Sequence, residues 1–241
     1  MDRSSGGGMR VAFFGGSFDP PHQGHLAVAR AAQAALALDT VLFAPVGAQP
    51  LKPQGSTASF EDRVPMTRLA VAGEQGFVVS LADAPTPTAA PNYTIDTLLS
   101  LRAELPPGGT LFFLMGADSL LGLRRWRRAA EIPFVAPLIV ASRPGQPLEG
   151  LEAALPPGLT IEPGHRDHSS ADASSVDLRS FLIRNPAADT TPLFLLPGLH
   201  IDISASQVRE QIHGLPGVTP TAPQLICDSV LTYIRSHGLY R

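Results

Sequence analysis

The sequence predicts an α/β fold in which a doubly wound parallel sheet is covered by helices. Short apolar runs alternate with longer helix-forming stretches along the 241 residues, and this alternation is typical of parallel strands joined by helical crossovers. The first apolar run, residues 10–14, ends at Gly15 and Gly16, where a buried strand would break into a turn. There is no internal repeat and no clear interdomain linker. We therefore expect one domain over residues 9–241, after a disordered Ser/Gly-rich leader or expression remnant at residues 1–8.

The predicted strands are short and apolar, and they would cover residues 10–14, 41–45, 77–80, 110–115, 137–141 and 193–196. The predicted helices are longer, and they would cover residues 26–38, 61–72, 94–104, 119–130, 206–213 and 222–237. Residues 26–38 are the clearest case because they are alanine-rich and contain neither Gly nor Pro. The last two helices would form a small C-terminal helical segment. Between residues 145 and 189, clusters of Pro, Gly, Asp and Ser favour loops, with one short helix near residues 177–183.

Composition and charge exclude several classes of protein. Hydrophobic residues make up 44% of the chain and charged residues 16%, as in ordinary soluble globular proteins. A net charge of -3 gives no electrostatic reason to expect a nucleic acid or an acidic membrane as partner. The single cysteine, Cys227, rules out an intrachain disulfide framework and a cysteine-rich zinc site. No apolar run approaches the ~20 residues of a membrane span, and the leader lacks the apolar core of a signal peptide, so we expect a cytoplasmic protein.

The turn after the first predicted strand is the most informative stretch of the chain. It reads Gly15-Gly16-Ser17-Phe18-Asp19-Pro20-Pro21-His22-Gln23-Gly24-His25. It leaves the carboxyl end of a strand, where open α/β sheets bind ligands, and its glycines let backbone N–H groups approach phosphate oxygens. His22 and His25 are three residues apart, so one turn of the helix beginning near His25 would place both imidazoles on the same side. Two such donors suit the charge that develops when an α-phosphate is attacked.

Two other interpretations of this turn stay open. It could be a Gly/Pro turn with incidental histidines, or the histidine pair could bind a metal, although no third ligand is evident nearby in the sequence. The glycine pattern matches neither the Gly-x-Gly-x-x-Gly fingerprint of dinucleotide-binding sheets nor the Gly-Lys-Ser/Thr of P-loops. Position, glycines and paired histidines together favour phosphate chemistry.

Two motifs give the chain a family resemblance. The segment His22-x-Gly24-His25 after a Gly-Gly-Ser-Phe-Asp-Pro turn resembles the HxGH nucleotidyltransferases, which adenylylate or cytidylylate phosphates without a covalent intermediate. Far downstream, Ile203-Ser204-Ala205-Ser206-Gln207-Val208-Arg209 resembles the Ile-Ser-x-Ser/Thr-x-x-Arg signature that opens a C-terminal helix and holds the nucleotide's phosphates. The local residues agree, because Ser204 or Ser206 can cap a helix and Arg209 would lie on its first turn.

Further segments are similar to those of the nicotinate-mononucleotide adenylyltransferases. They are Asn92-Tyr93-Thr94-Ile95-Asp96-Thr97-Leu98, Gly116-Ala117-Asp118-Ser119-Leu120 with Trp126 downstream, Ser142-Arg143-Pro144-Gly145, and Tyr233-Ile234 to Gly238-Leu239-Tyr240. The resemblance runs in order from about residue 9 to residue 240. It implies a Rossmann-like sheet of the nucleotidyltransferase type.

The resemblance also implies the reaction. AMP would pass from ATP to nicotinate mononucleotide, giving nicotinate adenine dinucleotide and pyrophosphate in NAD biosynthesis. The partners would be these two small molecules, with Mg²⁺ accompanying ATP, no organic cofactor and no nucleic acid. The oligomeric state stays open, with a homo-oligomer as one option.

The family's functional residues carry over to matching positions of this sequence. The implied catalytic residues are His22, His25 and Arg209. The implied ATP site comprises Gly15, Gly16, Ser17, Phe18, His22, His25, Gly116, Asp118, Ser204, Ser206 and Arg209. The implied mononucleotide site comprises Lys52, Thr94, Trp126 and Arg143, and no residue is assigned as a metal ligand. Trp126, the only tryptophan, could stack on the pyridine ring or pack in the core.

Three features depart from the family pattern or leave alternatives open. Leu51, before the sole lysine Lys52, stands where members often carry a histidine, and the long connection from 145 to 201 includes unassigned polar residues, namely His165, Asp167 and His168. The four arginines around Trp126 could form a solvated face, favour anionic substrates or bind nucleic acid. The competing functions are another HxGH enzyme, such as a phosphopantetheine adenylyltransferase, and a nucleotide sensor without turnover.

Overall fold

The fold was analysed in a computed structural model, which describes residues 8–48, 55–88, 90–142, 151–164, 178–197, 203–213 and 225–241. Within these ranges one eight-stranded sheet forms the centre. Its strands are β1 Arg10–Gly16, β2 Thr40–Pro45, β3 Phe77–Val79, β4 Thr110–Gly116, β5 Leu138–Ala141, β6 Thr160–Pro163, β7 Arg179–Arg184 and β8 Thr190–Leu196. They lie in the order β3-β2-β1-β4-β5-β8-β7-β6. The six strands from β3 to β8 in that order pair in parallel, whereas β7 and β6 pair antiparallel at the edge.

The helices of the described residues are α1 Gln23–Leu36, α2 Phe60–Val71, α3 Thr94–Glu104, α4 Ala117–Gly122, α5 Ile132–Val135, α6 Leu151–Ala154, α7 Ala205–His213 and α8 Asp228–His237. Sequence chemistry sets several of their ends. Ser59 caps α2 by accepting a hydrogen bond from the Asp62 N–H, and Gly238 ends α8 in the left-handed conformation that glycine adopts without strain. None of the helices in these ranges is long and apolar enough to cross a membrane.

Alternate residues of the central strands feed two cores. Val11 and Phe13 of β1 pack on one face of the sheet with Ile95 and Leu98 of α3, and the neighbouring Ala12 joins the other face, against α1. Alternation in a strand sends successive side chains to opposite faces, so a sheet with both faces covered needs apolar residues at every position. A third cluster joins α2, α7 and α8. The α/β fold class is confirmed, including the helical C-terminal segment.

The region from residue 145 to 189 corrects the expectation of loops with a short helix. Residues 177–183 were expected to include a helix, but Arg179–Arg184 is strand β7, paired with β8 on one side and β6 on the other. Its Phe, Leu and Ile residues suit a strand, and cross-strand pairing decides their conformation over local pattern. The helix expected at 119–130 also stops early: after α4 and a 3₁₀ turn at Leu123–Arg125, Trp126 is extended.

Candidate active site

A cleft of about 650 Å³ opens at the carboxyl ends of the central strands. Its walls come from the turn after β1, the first turn of α1, the segment leading into α3, the start of α4 and the start of α7. Among the residues expected from the sequence, those that line it are Gly15, Gly16, Ser17, Phe18, His22, His25, Thr94, Gly116, Asp118, Trp126 and Ser204. Ser206 and Arg209 border a shallow depression with Glu210 and His213. These predicted residues therefore lie together in one cleft, alongside wall residues that the sequence did not indicate.

The two histidines lie together at the start of α1. The helix begins at Gln23, two residues earlier than expected, so His22 is its N-cap with extended backbone. The backbone N–H of His22 donates to Nδ1 of His25 at 3.1 Å, and the two ring centroids are 3.7 Å apart. Both rings thus face the cleft beside the backbone N–H groups of the first turn of a 14-residue helix.

The hydrogen bond to Nδ1 fixes the state of His25. A nitrogen that accepts carries no proton, so the neutral ring is protonated at Nε2. Burial, and then the neighbouring His22, lower the pKa of His25 well below its ordinary value. Phe18 contributes to this desolvation, with its ring centroid 4.9 Å from that of His25. At neutral pH the unliganded protein therefore presents one Nε2–H donor from His25.

The glycine turn packs closely against the aromatic rings of Phe13 and Phe18. A Cβ on Gly15 would lie 3.0 Å from the Phe13 ring, and a Cβ on Gly16 would lie 3.1 Å from the Phe18 ring. Arg63 of α2 holds the turn from the other side: it is 2% exposed, and its guanidinium donates to the carbonyls of Ser17 at 2.7 Å and Val46 at 2.8 Å. The backbone of this turn is thus fixed before any ligand arrives.

The start of α7 settles which serine caps it. The Ser204 hydroxyl accepts from the Gln207 N–H at 3.2 Å, and the Gln207 side chain accepts from the Ser204 N–H at 2.7 Å, a reciprocal capping box. Ser206 instead accepts from Nη2 of Arg209 at 3.1 Å. Nη1 of Arg209 donates to the carbonyl oxygen of Asp19 at 2.7 Å, across 190 residues of sequence. The turn after β1 and the start of α7 are therefore in direct contact.

Trp126, which follows the 3₁₀ turn after α4, also lines the cleft. It is partly buried against the core, with its ring centroid 6.0 Å from that of Phe113. The guanidinium of Arg127 lies 4.6 Å from the centroid of the Tyr93 ring, a cation–π distance, and both residues line the cleft. Packing and ligand contact are thus compatible for Trp126.

The four arginines around Trp126 divide between two environments. Arg125 and Arg127 line the cleft. Arg124 donates to the carbonyl of Ala153, and Arg128 forms hydrogen bonds with Glu131. Of the interpretations open to the sequence, an anionic substrate fits the first pair and a solvated face fits the second.

The sequence of this chain matches a known protein family. The sequence profile of the cytidylyltransferase-like family matches residues 13–211. A relative from Solibacter usitatus named probable nicotinate-nucleotide adenylyltransferase is 35% identical over 234 residues, covering 96% of this chain and 100% of its own length. A relative of the same name from Gloeobacter violaceus is 37% identical over 239 residues, covering 97% of each chain. The chain belongs to the nicotinate-nucleotide adenylyltransferase family.

A solved structure agrees with the fold of this family member. The Plasmodium falciparum nicotinic acid mononucleotide adenylyltransferase complexed with APC superposes with a TM-score of 0.65 at 16% identity, over 96% of this chain and 97% of that one. The full-length relatives of a single name argue against a phosphopantetheine adenylyltransferase. Lys52, Arg143, Leu51, His165, Asp167 and His168 lie outside the described residues.

Sequence reasoning missed Asp83 in the cleft wall and Arg63 in its support. Asp83 lines the cleft at 4% exposure; it accepts a hydrogen bond from the Thr97 hydroxyl, and burial raises the pKa of its carboxyl group. Arg63, which holds the glycine turn, also passed unnoticed. An aspartate after a short edge strand and an arginine inside a helix look like surface residues, so no local signal marks either one.

Proposed function

We propose that this family member transfers AMP from ATP to nicotinate mononucleotide, releasing pyrophosphate and nicotinate adenine dinucleotide for NAD biosynthesis. The observation that carries the proposal is the His22–His25 pair, 3.7 Å apart at the start of α1 and facing the cleft. A second solved form of the Plasmodium enzyme is complexed with NaAD, which supports the same product here. We further propose that residues 9–241 act as one catalytic domain in the cytoplasm.

The reaction is a direct displacement. An oxygen of the mononucleotide's 5′-phosphate forms a bond to the α-phosphorus of ATP, and the bond from that phosphorus to the bridging oxygen of pyrophosphate breaks. The attacking phosphate is already ionised at neutral pH, so no general base is required. Catalysis then depends on alignment and on donors placed where negative charge develops.

The donors come from three parts of the cleft. The Nε2–H of His25, the His22 ring and the first N–H groups of α1 would meet the α- and β-phosphates, and Arg209 would meet the departing pyrophosphate. Because Nδ1 of His25 accepts from the His22 N–H, the ring would stay neutral and donate to the phosphates through Nε2. Gly15, Gly16, Ser17 and Phe18 would surround the nucleotide phosphates, with Ser204 and Ser206 at the start of α7.

The two nucleosides would occupy different parts of the cleft. We assign Asp118 to the adenylate ribose and Gly116, where a Cβ would meet nothing within 4 Å, to close approach of the nucleotide. Trp126 would stack on the pyridine ring, with Thr94, Lys52 and Arg143 completing the mononucleotide site. Arg125 and Arg127 add positive charge on that wall.

Mg²⁺ would enter with ATP rather than occupy a protein cage. Within the described ranges no three His, Cys, Asp or Glu side chains gather as a metal site, and substrate phosphates with water supply most ligands of Mg²⁺ in such sites. When bound, the ion neutralises charge on the triphosphate and on the pyrophosphate.

A pyrophosphate-release assay tests the proposal. ATP with Mg²⁺ would be offered nicotinate mononucleotide, the corresponding amide, or 4′-phosphopantetheine. We expect turnover with the first, and a kcat/KM for the amide lower by about ten- to a hundredfold, since a buried donor facing an amide N–H₂ stays unpaired. Equal values for acid and amide would overturn only the specificity. Turnover with phosphopantetheine alone, or ATP binding without turnover, would overturn the proposed reaction in favour of another HxGH enzyme or a sensor.

A further inference from the structure

Asp19 is a buried junction between distant parts of the chain. It lies in the turn between β1 and α1 and is 5% exposed. Its carboxylate accepts from the backbone N–H of Thr57 at 2.6 Å and of Ala58 at 3.0 Å, and from the hydroxyl of Tyr240 at 2.7 Å. The last bond spans 221 residues of sequence. Three donors on one buried carboxylate leave it little freedom to rotate.

Arg209 is oriented by the same residue. Its Nη1 donates to the Asp19 carbonyl oxygen at 2.7 Å and lies 4.0 Å from the Asp19 carboxylate. Its side chain is 29% exposed, and its Nη2 donates to the Ser206 hydroxyl at 3.1 Å. Rotation of the Asp19 side chain would therefore change the ion pair between its carboxylate and Nη1 of Arg209.

The turn that ends α8 positions the Tyr240 ring for its hydrogen bond to Asp19. Gly238, at φ 63°, reverses the chain after α8, and Tyr240 then enters the third apolar cluster at 7% exposure, with Val208 of α7 and Val230 of α8. Burial and the nearby Asp19 raise the pKa of the Tyr240 phenol, so it stays protonated and donates. Arg63 lies close by and donates to the Ala58 carbonyl at 3.3 Å.

We propose that Tyr240 is a positioning residue for adenylyl transfer, holding Asp19 so that Arg209 keeps the position from which it would meet the departing pyrophosphate. The inference rests on the proposed function only in assigning pyrophosphate to Arg209. Tyr240 acts through another side chain and would not touch substrate itself.

Tyr240→Phe tests the idea because it keeps the buried ring and removes only the hydroxyl. Loss of a hydrogen bond to a charged group predicts a kcat lower by about tenfold, with KM for the mononucleotide unchanged, and weaker inhibition by pyrophosphate. Tyr233→Phe is the matched control, since it removes a tyrosine–aspartate bond, to Asp62 at 3.1 Å, from the same end of the chain. We expect the control to retain wild-type kcat and pyrophosphate inhibition.

A double-mutant cycle separates positioning from general destabilisation. If Tyr240 acts through Arg209, Tyr240→Phe adds no further loss of kcat in an Arg209→Ala background. Additive losses, or a lower melting temperature with kcat and pyrophosphate inhibition intact, would overturn the proposal.

A binding measurement keeps the test independent of turnover. Inorganic pyrophosphate with Mg²⁺ would be titrated into the free protein in a calorimeter, well below the melting temperature, to give its dissociation constant. Weaker binding in Tyr240→Phe than in Tyr233→Phe supports the positioning role even if the proposed reaction fails, and equal binding in the two variants counts against it.

Discussion

His25 shows how a single hydrogen bond can decide the chemistry of a side chain. Acceptance at Nδ1 and the lowered pKa together leave one donor, at Nε2, in the unliganded site. An isolated histidine in solution would exchange between two tautomers and titrate near neutrality. The hydrogen bond from the His22 N–H fixes the tautomer and burial keeps the ring neutral, so in the proposed reaction the donor would need no reorganisation.

We expect His25→Ala to lower kcat by about 10²- to 10³-fold, as for loss of one charge-stabilising donor, while ATP binding changes far less. Steady-state kinetics and an ATP titration would measure the two effects. His237→Ala, on an exposed residue at the end of α8, is the control and should keep wild-type turnover. Turnover of His25→Ala within a few-fold of wild type would remove this residue from the mechanism.

Trp126→Ala should raise KM for the mononucleotide and leave KM for ATP nearly unchanged. Loss of a stacking partner costs ~1 to 3 kcal/mol per base at comparable sites. Trp126→Phe, which keeps an aromatic face, should recover part of the affinity. Because the ring also packs near Phe113, melting temperatures must be measured in parallel. A lower melting temperature with both KM values intact would make Trp126 a packing residue only.

At the scale of the element, helix α7 carries Arg209, and hydrogen bonds at its first turn fix the start of the helix. Its capping box of Ser204 and Gln207 satisfies backbone groups at that turn. The described part of this region is short, residues 203–213, and Val208 is its one fully buried position among them. The cap therefore matters to the aim of the guanidinium as well as to the helix.

Ser204→Ala should lower the free energy of unfolding by about 1 kcal/mol and also lower kcat, because the first turn of α7 frays beside Arg209. Ser59→Ala removes the equivalent cap of α2, where Ser59 accepts from the Asp62 N–H at 3.1 Å, and should lower stability without a comparable loss of kcat. Urea unfolding and steady-state kinetics on both variants would measure this. Equal kinetic losses in the two variants would show that the α7 cap has no special connection to the site.

Elements with strong local signals were predictable, and elements formed by distant pairing were not. Helix α3 has the predicted bounds, Thr94–Glu104, and β1 to β5 each lie within two residues of the predicted limits. The β6–β7 pair was missed because its stability comes from pairing with β8, which follows it in sequence. The helix predicted over residues 119–130 does not include Trp126, because a 3₁₀ turn ends at Arg125 and the chain is extended after it.

At the scale of the whole molecule, the sequence indicated part of the cleft wall but not the contacts that support it. His22, His25, Ser204 and Trp126 belong to motifs whose residue types indicate phosphate and ring binding. The roles assigned to them stay predictions. By contrast, the contacts of Asp19 with Tyr240 join residues 221 positions apart, and no local spacing can reveal such a bond.

The ionisation of Asp83, which lines the cleft, contributes to the pH dependence of the free energy of unfolding. Its pKa is raised in the folded protein, chiefly by burial and against the Thr97 hydrogen bond. As pH rises above the ordinary value near 3.8, the unfolded chain loses this proton first, so the contribution of Asp83 to folding stability falls until the folded group has also ionised. Asp83→Asn keeps an acceptor for Thr97 and cannot ionise. Its stability relative to wild type should therefore increase with pH through that window.

Urea unfolding of both proteins from pH 4 to pH 8 would measure the difference. The raised pKa of Asp83 would be contradicted if the difference in free energy of unfolding between the two proteins were independent of pH. A difference that moved in favour of wild type as pH rises would contradict it as well.

Trp126 is the only tryptophan of the chain, and it lies on the wall of the cleft beside Phe113 and Arg125. Excitation selective for indole will therefore report one known position, without a dye or an engineered label. A pyridine ring stacked on that indole would quench its emission, whereas ATP bound beside the histidine pair would have little effect. The protein thus contains its own optical probe, which can follow the order and speed of substrate arrival in a stopped-flow instrument.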